Sequence, residues 1–129
     1  MSALKVPVLC ILIGEGGSGG ALATAVGNQV WMMEHSTYAI LSPEGYASIL
    51  WKTNDRAQEA AAMMKITAQD LKQMQIIDRI VPEFGGATKE NLIPITDYMK
   101  NGIRQFLITY GKMTPEDIAE DRYQRFRRF

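Results

Sequence analysis

The stretch Val6-Pro-Val-Leu-Cys-Ile-Leu-Ile-Gly-Glu-Gly-Gly-Ser-Gly-Gly-Ala-Leu-Ala-Thr-Ala-Val26 decides how this chain is read. Val6 to Ile13 is apolar on both side-chain faces, the pattern of a strand buried on both sides of a parallel sheet. Pro7 stands at its start, where a missing N–H is tolerated. Five glycines among residues 14 to 20 lead into Ala21 to Val26, a short helix of small residues that Gly27-Asn28 closes. A strand, a glycine-rich loop and a helix together open an α/β fold.

The loop matches three templates. Gly14-x-Gly16-x-x-Gly19 is a dinucleotide fingerprint, with Glu34 placed where a ribose-binding acid would stand. Against it, only seven residues separate Gly19 from Gly27, roughly two helical turns, which is short for such a unit. Gly16-Gly-Ser18-Gly-Gly20 also fits a nucleophile elbow, but the one histidine, His35, lies too close in sequence to leave room for an intervening acid. The third template is an oxyanion hole. Glycines let a ligand approach the backbone, and the start of the following helix offers N–H donors that need no acid–base side chain. The density of glycines and the lack of acid–base residues favour this third reading.

Downstream, Val30 to Met33 and Tyr38 to Leu41 read as strands on either side of the polar Glu34-His-Ser-Thr37. Ser42-Pro-Glu44 starts a helix reaching Lys52, with Ser as cap, Pro at the first position and an acid in the first turn. Asp55 is placed to cap a second helix over 56 to 65. Thr67-Ala-Gln-Asp70 resembles a capping box before a third, with Leu71 and Met74 facing inward. Ile76 to Val81 is a further strand, stopped by Pro82, and Phe84 to Ala87 is a loop. Leu92, Ile95, Met99, Ile103, Phe106 and Tyr110 recur at spacings of three and four, giving one long amphipathic helix. Thr114-Pro-Glu-Asp117 caps a last one.

The chain has 129 residues, 47% of them apolar, with 14 basic and 14 acidic residues. That length suits one continuous domain over 1–129 with a real core. A net charge of zero gives no electrostatic pull toward nucleic acid or an anionic membrane. The apolar run Val6 to Ile13 is far below the roughly 18 residues of a membrane span. A single cysteine, Cys10, forms no internal disulfide, so a cytoplasmic setting is expected.

Several motifs in order resemble one family. They are Gly14-Glu-Gly-Gly-Ser-Gly-Gly-Ala-Leu-Ala23, Ser36-Thr-Tyr38, Ile40-Leu-Ser-Pro-Glu-Gly45, Ala47-Ser-Ile-Leu-Trp-Lys52, Ile76-Ile-Asp-Arg-Ile-Val-Pro-Glu83 with Gly85-Gly-Ala87, and Arg122-Tyr-Gln-Arg125. Together they resemble the carboxyltransferase α subunit of bacterial acetyl-CoA carboxylase over nearly the whole chain. The resemblance implies a crotonase-like α/β spiral of ββα units, of which this chain would be the C-terminal part without the long upstream half. It implies transfer of a carboxyl group from carboxybiotin, on a biotin carrier protein, to acetyl-CoA, giving malonyl-CoA for fatty acid synthesis. It also implies partners: a zinc-ribbon β subunit in an α2β2 assembly, the carrier protein and biotin carboxylase, with no metal held by this chain. By the same resemblance, Gly19 and Gly20 would form the backbone oxyanion hole for the biotin ureido oxygen. Gly16, Gly17 and Ser18 would form the biotin-facing loop.

The remaining candidates have plainer readings. Glu15 suits a helix N-terminus with or without a ligand. His35 reads as a turn residue, the Ser42 to Glu44 segment as a cap, and the eight methionines as packing. Arg122, Arg125, Arg127 and Arg128 follow four acids, which suits a helix dipole better than a nucleic-acid patch. Two functions from different classes remain: half of a carboxyltransferase active site, or a crotonase-like fragment that serves assembly alone. A dinucleotide-binding domain ranks third.

Overall fold

A computed structural model describes residues 1–129. Strand β1 (Leu9–Leu12) is followed by β2 (Glu15–Gly17) and helix α1 (Ser18–Ala25). The same order recurs in β3 (Gln29–Met33), β4 (Thr37–Ala39) and α2 (Pro43–Trp51). Helices α3 (Ala57–Met64) and α4 (Ala68–Gln73) lead to β5 (Arg79–Val81), and α5 (Leu92–Tyr110) and α6 (Pro115–Phe126) complete the chain. The first strands of the two units pair in parallel, and β5 joins them in the order β1-β3-β5, with Cys10 opposite Val30 and Met32 opposite Ile80. The second strands form their own parallel pair, β2-β4. Two successive ββα units, each feeding one strand to each sheet, are the spiral repeat that the resemblance implies.

Alternation along β3 explains why its sheet is covered on both faces. Val30 and Met32 join Cys10, Leu12, Ala68, Leu71 and Ile77 on one side. Trp31 and Met33 join Val81, Ile95, Phe106, Tyr110 and Ile118 on the other. Helix α4 thus closes one face, and α5 with α6 closes the other. None of the helices is long and apolar enough to cross a membrane.

Local cap chemistry works as the sequence predicts in three places. The Ser42 Oγ accepts from the Gly45 N–H (3.2 Å), and the Thr67 Oγ1 from the Asp70 N–H (3.2 Å). Thr114 and Asp117 form a reciprocal capping box. Several expectations fail for identifiable reasons. The glycine-rich stretch is not all loop, because Glu15 to Gly17 pairs with β4. The strand predicted over Val6 to Ile13 forms only from Leu9, because the backbone carbonyls of residues before it are claimed by a helix (below). Of the run 76–81, only residues 79–81 pair, since the side chain of Asp78 accepts from the Val30 N–H in place of a ladder bond (2.7 Å). Asp55 turns to the Thr53 hydroxyl (3.0 Å) and does not cap α3. Met74 lies beyond the end of α4 and is 46% exposed, and Met1 and Met63 are also exposed, so not every methionine is packing.

The arginines of α6 do more than complement a dipole. Ile118, Arg122 and Arg125 share one face of the helix and are all buried. The Arg122 guanidinium donates to the carbonyls of Leu4 (2.7 Å) and Val6 (2.7 Å) and to Asn28 Oδ1 (2.7 Å). Asn28 Oδ1 also accepts from the Val8 N–H (3.1 Å). Arg125 donates to the carbonyls of Ile76 (2.7 Å) and Ala25 (3.2 Å) and pairs with Asp78 (3.2 Å).

Two outcomes follow for stability and reactivity. Replacing Arg122 by Met takes the guanidinium donors from the Met1, Ser2, Leu4 and Val6 carbonyls and leaves Asn28 Oδ1 with the Val8 N–H alone. Urea denaturation of Arg122→Met should show a loss of about 3 kcal/mol, and limited proteolysis should cut the first six residues, which stay protected in the parent. Burial pushes the Cys10 thiol up in pKa, so its thiolate is scarcer than that of an exposed cysteine at any pH near neutrality. Iodoacetamide should leave Cys10 unmodified in the native protein and alkylate it rapidly in urea.

Candidate oxyanion site at the start of α1

The carboxyl ends of the parallel pair β2 and β4 open toward one cavity, the usual ligand position in a parallel sheet. It has a volume of about 560 Å³ and is lined by Glu15, Gly16, Gly17 and Ser18 on one side. Thr37 and Ala39 of β4, Leu41 just beyond it, Ser42 to Glu44 at the start of α2, and Ile66 line the other. Two helix N-termini therefore border the same space, and their partial positive ends favour an anion there.

The two ends differ in what they leave free. At α2 the first turn is satisfied internally. Pro43 has no N–H, Ser42 caps the Gly45 N–H, and the Glu44 carboxylate is held below the usual carboxylate range by its own backbone N–H and the Ser42 hydroxyl. At α1 the cap residue is Gly17, which has no side chain to accept a hydrogen bond. The N–H groups of Ser18, Gly19 and Gly20 lie in the first turn, where helix geometry supplies no acceptor. The electropositive end of α1 is thus the one available to a ligand.

The glycines divide into two kinds. A Cβ on Gly16 would collide with the Leu12 side chain and come within 3.0 Å of Tyr38, so this glycine is required by packing beneath the cavity. Gly19 and Gly20 would meet nothing within 4 Å, and neither has a positive φ. In helical conformation each costs about 1 kcal/mol relative to alanine, and nothing in the fold compensates. Open space kept open at a helix start is what close approach of another molecule requires.

Ser18, between them, has φ of 50°, left-handed for a residue other than glycine. Such a backbone costs roughly 1–2 kcal/mol, and outliers of this kind cluster at functional turns. The turn is fixed from below by Tyr38, whose hydroxyl donates to the Ala21 carbonyl (2.6 Å) and accepts from Thr24 (3.4 Å). Burial pushes the Tyr38 hydroxyl up in pKa, keeping it a neutral donor.

Of the predicted site residues, the structure brings Gly16, Gly17 and Ser18 into the cavity wall and leaves Gly19 and Gly20 exposed in the adjoining first turn. Thr37, Ala39 and Leu41 were not singled out as site residues. The signal for them was pairing: Gly16 sits opposite Tyr38 and Gly17 opposite Ala39, which no local pattern shows. The Ser18 elbow has no base, because His35 does not line the cavity and its ring instead meets Glu83 (2.5 Å). A dinucleotide site also lacks its acid. Glu34 Oε2 accepts from the Glu83 N–H (2.8 Å), and β2 stands between β1 and the helix where a Rossmann unit has a direct turn.

A family model described as acetyl co-enzyme A carboxylase carboxyltransferase-like matches residues 1–129. The chain belongs to that family. Among similar curated proteins, the acetyl-coenzyme A carboxylase carboxyl transferase subunit alpha of Streptococcus uberis is 56% identical over 129 residues. The subunit of the same name from Streptococcus pyogenes is 53% identical over the same length. Both matches cover 100% of this chain and 49% of the relative, so this carboxyltransferase-like chain spans about half the length of the curated relatives it matches. A solved structure of the enoyl-CoA hydratase/isomerase type from Mycobacterium abscessus superposes with a TM-score of 0.42 at 16% identity, covering 96% of this chain and 58% of that one.

The two kinds of glycine separate cleanly by substitution. Gly16→Ala should lower the urea-derived stability by about 1–3 kcal/mol through overpacking against Leu12 and Tyr38. Gly20→Ala should leave stability unchanged or raise it by up to about 1 kcal/mol.

Proposed function

We propose that this chain forms the biotin-facing wall of a carboxyltransferase that moves a carboxyl group from carboxybiotin on a carrier protein to acetyl-CoA, giving malonyl-CoA. The observation that carries this reading is the pair Gly19 and Gly20: unfilled space and acceptorless N–H groups at the start of α1, beside a cavity walled by Gly16, Gly17 and Ser18. Family membership and the names of the streptococcal relatives support the substrate class.

The cavity fits a flat, neutral ring with one carbonyl oxygen. Its glycine wall admits close approach, and its volume of about 560 Å³ exceeds what such a ring needs. Biotin, when bound, supplies a ureido nitrogen that carries the carboxyl group and a ureido oxygen that gains negative charge as the group leaves. The N–H groups of Gly19 and Gly20 donate to that oxygen, and the α1 dipole adds to them. Because these donors are fixed before the reaction, they stabilise developing charge without reorganising, an effect worth about 3 kcal/mol per donor. Neither His35 nor Ser18 is needed as an acid or base. A carboxyltransferase β subunit holds acetyl-CoA on the opposite side, in an assembly that also engages the carrier protein and biotin carboxylase.

The competing reading is a fragment that serves assembly without catalysis. The internal cost of Gly19 and Gly20 favours the enzyme, because assembly alone gives no reason to keep acceptorless N–H groups accessible.

The test is the reverse reaction, with malonyl-CoA and free biocytin and this chain assembled with a carboxyltransferase β subunit. Biocytin-dependent release of acetyl-CoA is expected, and Gly20→Val should reduce it by a factor of about 100 or more without loss of folding or assembly. Full activity of Gly20→Val would remove the oxyanion role. No activity from a folded, β-associated parent chain would leave the assembly reading.

A further inference from the structure

Helix α5 carries a second polar cavity that the reaction above does not use. Its volume is about 280 Å³, and its lining is Arg79, Tyr98, Asn101, Gly102, Arg104 and Gln105. It shares no residue with the cavity at α1.

Three observations single it out. First, Arg79 is built into place. It enters from β5, half-buried, and its guanidinium lies over the ring of the fully buried Trp31, 4.6 Å from the centroid. Second, α5 gives up a side chain to receive it. A Cβ on Gly102 would collide with Arg79 Nη1 and would lie 2.8 Å from Trp31 Cη2. A glycine in mid-helix costs about 1 kcal/mol relative to alanine, so room for this stack is kept at a cost. Third, the charges are unbalanced. No carboxylate lines the cavity, and neither Arg79 nor Arg104 makes an ion pair anywhere in the chain.

The two arginines buried by the face of α6 behave differently, since Arg122 donates to backbone carbonyls and Asn28. Arg125 meets Asp78 and two carbonyls, so its donors are used. The donors of Arg79 meet no acceptor in the chain, although stacking already holds its fork in one orientation. Asn101, Arg104 and Gln105 stand at i, i+3 and i+4 around it and have no partners of their own, so they add amide and guanidinium donors on the same side.

The geometry points to an oxyanion site here, for the phosphate group of a small phosphorylated ligand. Two guanidinium groups carry a formal charge of two and match a phosphate or pyrophosphate dianion better than a single carboxylate. Arginine's planar fork suits two oxygens of one phosphate, and the stack on Trp31 reduces the entropy lost on binding. The Asn101 and Gln105 amides add N–H donors at the rim.

Calorimetric titration of the protein with inorganic pyrophosphate tests this directly. One saturable site is expected. Arg79→Met keeps the stem against Trp31 and removes the fork, and it should weaken binding tenfold or more with an unchanged urea midpoint. Arg104→Gln should weaken it by a smaller factor. Arg127→Gln, at an exposed position in the C-terminal tail, should bind as the parent does. Absence of saturable binding to the parent would overturn the proposal. So would parent-like binding by Arg79→Met, or equal weakening by Arg127→Gln, which would show a diffuse charge effect.

Discussion

The hydrogen bonds from Arg122 and Arg125 fix where the parallel strands begin, and the rest of the molecule depends on that alignment. Arg122 holds the lead into β1 through Val6 and the lead into β3 through Asn28. Arg125 holds the lead into β5 through Ile76 and Asp78, and Asp78 in turn accepts from Val30 at the start of β3. One helix therefore aligns the amino ends of all three strands of a sheet. With those ends aligned, the carboxyl ends of β1 and β3 terminate together, and each chain segment crosses into the second sheet at the same level. The parallel pair β2-β4 is the result, and the cavity lies against it.

Seen from that pair, the site is a backbone device. Gly16 lets β2 lie flat on Leu12 and Tyr38, Gly17 starts the helix without capping it, and Ser18 adopts a left-handed backbone that turns the strand into α1. The left-handed Ser18 costs roughly 1–2 kcal/mol, and Gly19 and Gly20 in the helix after it cost about 1 kcal/mol apiece relative to alanine. At the neighbouring start of α2, by contrast, Ser42, Pro43 and Glu44 satisfy the turn internally. The contrast between two helix starts bordering one cavity is the strongest functional signal in the molecule.

How much of this was legible beforehand depended on the range of the forces involved. The caps at Ser42, Thr67 and Thr114 are decided within four residues, and the sequence predicts them correctly. The helix Leu92–Tyr110 is decided by a repeat of apolar residues along its own length, and it too was legible, although Leu92 at its first position is 56% exposed. Strand β2 was not legible, because three residues rich in glycine carry no alternation and form a strand only where Thr37–Ala39 meets them. Burial of Arg122 and Arg125 was missed for a similar reason. Their acceptors are backbone carbonyls far away in sequence, though their spacing from Ile118 along one helix face was a readable hint. The glycine-rich stretch stands out as the candidate functional segment from its composition, but the division of labour within it needs the side chains of Leu12 and Tyr38.

On the proposed reading, the first-turn N–H groups of α1 receive an oxygen that gains negative charge. The most direct measurement is the amide proton shift of Gly19 and Gly20 in the assembled carboxyltransferase, labelled with 15N-glycine in this chain and titrated with biocytin. Downfield movement of these two resonances is expected, with Gly85 and Gly86, which do not line the cavity, unmoved. Unmoved Gly19 and Gly20 resonances at biocytin concentrations that support turnover would contradict it.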